Sequence, residues 1–111
     1  MSNIRITSEL WVSAFRKRLE SHAVPFFIIK KGDHLAGSII LRVSDLRGKS
    51  KILTQGPSIG GERQWIEIAN GPDIEIDKKL KKQSEFDDDV WIIEIEQVTG
   101  VCIIEDFLLI K

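Results

Sequence analysis

Residues 86–96, FDDDVWIIEIE, form the segment from which the architecture of this chain can be worked out. Three consecutive carboxylates lead into an alternating run that places Trp91, Ile93 and Ile95 on one face. A period of two, built from β-branched and aromatic residues, is typical of a strand with a buried face. We therefore predict that this segment is a central or near-central strand of a sheet.

The flanking segments predict two helices and several further strands. One helix is expected from about Ser8 to His22, with Thr7 or Ser8 as its N-cap, and a second from about Ile74 to Glu85. The Gly32-Asp33 pair has turn chemistry, so the two strands on either side of it are expected to form an antiparallel hairpin. Besides the strand at 86–96, strands are predicted at residues 26–31, 34–43, 51–55, 63–69 and 101–104.

The surface patterns of the two helices predict how they pack. The charge order of the second helix predicts two i,i+4 ion pairs, Glu75 with Lys79 and Asp77 with Lys81. The apolar stripe expected on the first helix consists of Leu10, Trp11, Ala14, Phe15 and Leu19.

This order of elements predicts an α+β fold. We expect an antiparallel β-sheet of about five to six strands with two helices packed on one of its faces. The chain has 111 residues, so a single globular domain over 1–111 is expected, with an apolar C-terminal tail at 105–111.

Composition narrows the function classes. The 16 basic and 17 acidic residues give a formal charge of -1, which argues against a nucleic-acid or anionic-membrane partner. Cys102 is the single cysteine, so neither an internal disulfide nor a cysteine-based zinc site is expected. No signal peptide and no apolar run of about 20 residues is visible, so a cytoplasmic protein is expected.

Four segments taken in order resemble one known family: SELWVSAFRKR (8–18), KKGDHLAG (30–37), Gly56-Pro57 leading to ERQW (62–65), and FDDDVWIIEIE (86–96). Their spacing is similar to that of the bacterial domain-of-unknown-function family 1491, small proteins of alphaproteobacteria. The family usually has proline at the position of Asp88, and the tail beyond about Ile104 lies outside the pattern. The resemblance implies a small bacterial cytosolic protein, and it brings no activity or catalytic residue.

Two sets of polar residues are candidates for ligand binding. Asp87 and Asp89, in the acidic run, can bind a divalent cation through oxygen, or one of the carboxylates can instead accept hydrogen bonds from nearby backbone amides. The Gly-rich loop GPSIGGER, with Arg63 and the more distant Lys30, can hold a phosphate group. No recognised phosphate-loop motif is present, however, and no helix opens directly after this loop.

The apolar tail and the sheet edges favour a different function. An apolar edge strand invites pairing with another strand, and the tail offers Phe107, Leu108, Leu109 and Ile110. We therefore predict a non-enzymatic module that forms a homodimer or holds a protein partner through a sheet edge or the tail. Two alternatives stay open: a phosphate-ligand or nucleic-acid-binding module, and a small enzyme with an acid or metal site at Asp87 or Asp89. No catalytic motif is found, so no catalytic residue, cofactor or metal ligand is assigned.

Overall fold

The computed structural model describes residues 7–55 and 65–96, which form two helices and a five-stranded sheet. In chain order the elements are α1 (Ser8–Ser21), β1 (Phe26–Lys30), β2 (Ile39–Ser44), β3 (Lys49–Gln55), β4 (Trp65–Pro72), α2 (Asp73–Phe86) and β5 (Trp91–Glu96). The predicted α+β fold with two helices and about five strands is confirmed. The predicted strand at 101–104, the Gly-rich loop at 56–63 and the tail at 105–111 lie outside the described residues.

The strands are ordered β1-β5-β2-β3-β4 in the sheet. β5 is an interior strand, which confirms its predicted near-central position. β5 runs antiparallel to β1 and parallel to β2. In the parallel pair, Ile39 lies opposite Trp91 and Ser44 lies opposite Glu96. The pairs β2–β3 and β3–β4 are antiparallel. The predicted hairpin between β1 and β2 is wrong, because β5 lies between these two strands.

Asp33 explains why turn chemistry does not produce a hairpin here. Its Oδ2 atom accepts hydrogen bonds from the backbone amides of Leu35, at 3.2 Å, and Ala36, at 2.9 Å. This side chain therefore organises a local turn of its own. The backbone amide of Asp33 donates to the carbonyl of Asp89, at 3.0 Å, which attaches the loop to the chain just before β5.

The two helices pack on opposite faces of the sheet, so the prediction that both lie on one face is wrong. Successive strand residues point to opposite faces, and Leu41 lies in the α1 cluster while Ile40 lies in the α2 cluster. The α1 cluster contains Val12, Phe15, Leu19, Ile39, Leu41, Val43, Leu53, Trp91, Ile93 and Ile95. The α2 cluster contains Ile40, Ile52, Ile76, Leu80, Val90 and Ile92.

α1 begins as predicted, although its buried stripe is shifted. Thr7 is the N-cap, and its Oγ1 atom accepts a hydrogen bond from the amide of Leu10 at 3.2 Å. The Leu10 side chain is 58% exposed, whereas Val12 is buried together with Phe15 and Leu19. The stripe therefore faces the sheet through positions 12, 15 and 19, at the spacing of one helix face. In the ranges described, no helix is long and apolar enough to cross a membrane.

The turn between β2 and β3 is built around Asp45. Its Oδ1 atom accepts hydrogen bonds from the amides of Arg47, at 2.7 Å, and Lys49, at 3.1 Å. These hydrogen bonds stabilise the charged form and lower the pKa of the Asp45 carboxyl. Gly48 in the same turn has a φ of 92°, a conformation that favours glycine.

Candidate functional site

Three of the four sequence motifs meet at one corner of the molecule, where β5 begins. The backbone amide of Asp33 donates to Asp89 O at 3.0 Å, and Trp91 Nε1 donates to Asp33 O at 2.7 Å. The hydroxyl of Ser8, the first residue of α1, donates to Gly37 O at 2.6 Å. These hydrogen bonds join the start of α1, the KKGDHLAG loop and the FDDDVW segment.

The glycines of this loop are required by close backbone packing. A Cβ atom on Gly32 would lie 2.2 Å from Asp89 O, and one on Gly37 would lie 2.3 Å from the same oxygen. Real Cβ atoms do not approach an oxygen so closely, so neither position has room for a side chain. The glycine spacing of KKGDHLAG therefore serves the junction with β5.

Lys30, predicted as a ligand-binding residue, contacts the end of α2. Its Nζ atom donates to the backbone carbonyls of Ser84, at 3.2 Å, and Asp87, at 3.1 Å. The last carbonyls of a helix lack partners within the helix and carry partial negative charge, so a cation at this place is favourable. Lys30, the last residue of β1, thus caps the C-terminal end of α2.

Asp87 and Asp89 lie next to this cap. The Oδ1 atom of Asp87 accepts a hydrogen bond from the amide of Asp89 at 2.9 Å, which is the backbone-amide alternative considered for the acidic run. Within residues 7–55 and 65–96, no group of three or more histidine, cysteine, aspartate or glutamate side chains is placed to hold a metal ion. Lys30, Asp87 and Asp89 therefore come together around the end of α2, whereas Arg63 lies outside the described residues.

A charged cluster on the α2 face went unnoticed in the sequence. The Arg42 side chain is 13% exposed, and it forms ion pairs with Asp73 at 3.3 Å, with Glu94 at 3.6 Å, and with Asp77. Ser50 accepts a hydrogen bond from Arg42 Nε at 3.3 Å and donates one to Asp73 at 2.6 Å. The cluster ties the first turns of α2 to the sheet. The sequence feature that could have indicated this cluster is Arg42, the single charged residue in the otherwise apolar run IILRV (39–43).

β1 forms one outer edge of the described sheet, and its side chains are strongly apolar. β1 pairs with β5 on one side, and no strand within residues 7–55 and 65–96 pairs with its other side. Three consecutive large side chains are exposed there: Phe27 by 45%, Ile28 by 40% and Ile29 by 59%. We call Phe27, Ile28 and Ile29 the β1 edge. The pairing with β5 shifts register between Ile28 and Lys30, so Ile29 forms a bulge.

Comparisons with known proteins agree with the resemblance seen in the sequence motifs. The family described as "Protein of unknown function (DUF1491)" matches residues 6–105. A DUF1491 family protein from Caulobacter crescentus CB15, known from a crystal structure, shares 24% sequence identity with this chain. The two structures superpose with a TM-score of 0.77, and the match covers 88% of this chain and 91% of that chain. An NMR structure of a DUF1491 family protein from the same organism is 25% identical, with a TM-score of 0.75 over 89% and 92%. A solution structure of a protein from A. tumefaciens is 28% identical, with a TM-score of 0.71 over 85% and 87%. No curated protein matches the chain.

Proposed function

Because this chain belongs to the DUF1491 family of proteins of unknown function, we propose a function from its surface: it is a non-enzymatic interaction module that forms a homodimer through the β1 edge. The observation that carries this proposal is the exposure of three consecutive large apolar side chains, Phe27, Ile28 and Ile29, on a strand whose outer side is unpaired within the described residues. An apolar strand edge is a template for pairing with another strand.

The residues flanking the β1 edge limit where such pairing can occur. Pro25 precedes β1 and has no amide hydrogen to donate, and the bulge at Ile29 interrupts the regular strand. Proline and bulges are devices that protect sheet edges. Here they leave a short apolar centre, so the contact has a restricted register.

A second copy of the chain fits this centre. A two-fold axis at Ile28 places this residue opposite the partner's Ile28, with Phe27 and Ile29 of the two copies close to the axis. The centre of the contact is then apolar, and no charged residue lies at it. Burying three half-exposed large side chains from each copy contributes about 1 kcal/mol or more per side chain.

Lys30 and Asp87 already make hydrogen bonds with backbone groups, so neither favours the phosphate-binding or metal-dependent alternatives. We infer no catalytic role for the described residues.

We also propose a cytoplasmic location. Cys102 is the single cysteine, so the chain needs no oxidising compartment to form an internal disulfide.

Light scattering on the intact chain and two matched variants tests the proposal. Ile28→Lys puts a charge at the two-fold axis, so it should convert a dimer into a monomer. Ile74→Lys is the control, because Ile74 is 65% exposed on α2, away from β1; this variant should remain dimeric. Circular dichroism checks that both variants are folded.

A chain ending at residue 104 separates the β1 edge from the tail. The proposal predicts that this shorter chain remains a dimer. A wild-type monomer would refute the proposal. A dimer that resists Ile28→Lys but dissociates on truncation would assign assembly to the segment containing Phe107, Leu108, Leu109 and Ile110 instead.

A further inference from the structure

A groove runs along the α2 face of the sheet, between the second half of α2 and strands β3 and β4. Its volume is about 350 Å³, near the lower limit for small-molecule sites. Gln83 and two lysines, Lys79 and Lys82, also line it. Its apolar lining consists of Ile40, Ile52, Ile68, Ala69, Leu80 and Phe86. A mainly apolar lining with a few polar groups is typical of a ligand site.

Two apolar side chains in the lining of the groove are exposed to solvent. Ile68 is 54% exposed and Phe86 is 90% exposed. β4 carries a bulge here: Ile52 pairs with Ala69 and Leu53 pairs with Glu67, so Ile68 is left without a partner on β3. A bulge redirects the side chain of its extra residue, and Ile68 thereby joins Ala69 in the lining.

The two lysines of the groove have no counter-charge among the residues that the structure describes. Neither Lys79 nor Lys82 forms an ion pair with any other described residue, and the predicted pair between Glu75 and Lys79 is not formed. Asp77, predicted to pair with Lys81, pairs with Arg42 instead. The groove therefore combines apolar surface with two ammonium groups whose charge the described residues do not neutralise.

We propose that this groove binds an aliphatic carboxylate of medium chain length. The hydrocarbon chain lies on the apolar lining, and the carboxylate lies between Lys79 and Lys82, where the Gln83 amide can donate a further hydrogen bond. Charge-assisted hydrogen bonds from lysine to a carboxylate are stronger than neutral ones, so the acid is preferred over an uncharged chain of the same length. The site shares no residue with the β1 edge, so this proposal does not depend on the proposed dimer.

Dodecanoate, titrated below its micelle-forming concentration into the intact protein labelled with ¹⁵N, tests the proposal. Amide resonances of Ala69, Leu80 and Gln83 should shift in a saturable manner. Dodecanol should bind about tenfold more weakly, because it cannot form the charge-assisted bonds. The absence of any shift in the groove, or equal binding of the acid and the alcohol, would overturn the proposal.

Two pairs of matched variants localise the binding. The double substitution Lys79→Gln with Lys82→Gln should weaken dodecanoate binding about tenfold. Lys78→Gln with Lys81→Gln removes the same charge from exposed positions of α2 outside the groove lining, and it should change binding less than about twofold. If both double substitutions weakened binding equally, the effect would come from the net charge of the protein and not from the two lysines of the groove. This result would overturn the proposed site.

The second matched pair tests the apolar wall of the groove. Phe86→Ala should weaken binding, whereas Ile74→Ala, an exposed apolar position on the same helix outside the groove, should not. Because both side chains are exposed, neither substitution should disturb the fold. Unchanged binding in Phe86→Ala would contradict the placement of the chain along this wall.

Discussion

The indole Nε1 of Trp91 donates a 2.7 Å hydrogen bond to the backbone carbonyl of Asp33, 58 residues earlier in the chain. Trp91 is 1% exposed, and it is the first residue of β5. The bond fastens the loop after β1 to the strand that separates β1 from β2. The corner where the sequence motifs converge is thus held together in part by a core side chain.

Replacing Trp91 with phenylalanine should reveal the value of this bond. Phenylalanine keeps an aromatic ring in the core but removes the donor and leaves a small void. The free energy of unfolding should fall by about 2 kcal/mol in urea denaturation. The half-buried Trp11 is the control, and Trp11→Phe should cost less than about 1 kcal/mol. Equal losses would mean that the bond to Asp33 is unimportant for stability.

Gly37→Ala should be far more damaging than a glycine substitution elsewhere. A Cβ at position 37 meets Asp89 O at 2.3 Å, so two packed backbone segments must separate. We expect a loss of about 3 kcal/mol or more in the free energy of unfolding. Gly48→Ala is the matched control: its φ of 92° costs about 1 kcal/mol, but no atom lies within 4 Å of the added carbon. A smaller loss at 37 than at 48 would contradict this packing.

Local patterns predicted the helices and most strands, because caps and periodicity act over a few residues. Thr7 caps α1 as expected, and the alternation in FDDDVWIIEIE identified an interior strand. The pairing of β1 depended on a contact between distant segments. The Gly32-Asp33 pair gives the same local signal whether the chain returns beside β1 or leaves space for β5. Contacts with the distant segment before and in β5, such as the bond from Asp33 to Asp89, distinguish the two arrangements.

The sequence analysis also did not predict that the helices pack on opposite faces of the sheet, although the sequence of β5 indicates it. Val90 and Ile92 alternate with Trp91 and Ile93, so the strand is apolar on both faces. A continuous apolar run is typical of a strand covered on both sides, and it indicates helices on both faces. Lys30 illustrates a stricter limit, because nothing near it in the sequence shows that its ammonium group reaches the end of α2.

Arg42→Met should destabilise the protein. Methionine keeps much of the apolar contact but leaves the carboxylates of Asp73, Asp77 and Glu94 without their cation. Since all three carboxylates are partly solvated, we expect a loss of about 2 kcal/mol in the free energy of unfolding. The ion pair of Arg16 with Glu20, at 4.0 Å on the surface, is the control. Glu20→Gln keeps Arg16 over the Phe26 ring, and it should cost less than about 0.5 kcal/mol. A loss as small for Arg42 would show that the cluster does not hold α2 to the sheet.

Lys30→Met distinguishes a helix cap from a ligand-binding lysine. Removal of the ammonium group leaves the carbonyls of Ser84 and Asp87 without this donor, so the free energy of unfolding should fall by about 1 kcal/mol. Hydrogen exchange should accelerate in the last turn of α2. The neighbouring exposed Lys31, substituted in the same way, should change neither quantity. Unchanged stability combined with lost phosphate binding would restore the ligand-binding interpretation.

Disulfide cross-linking at position 28, in a chain carrying Cys102→Ser, probes the proposed dimer at its two-fold axis. Residues directly opposite in an antiparallel pair have Cα atoms about 4.5–5.5 Å apart, within the range that a disulfide spans. The dimer through the β1 edge predicts that Ile28→Cys forms a covalent dimer rapidly on mild oxidation. Ile68→Cys, which is exposed on β4 at the other side of the described sheet, should keep the non-covalent dimer but form no covalent one. An Ile28→Cys protein that forms no covalent dimer on oxidation, or equal cross-linking at both positions, would contradict this assembly.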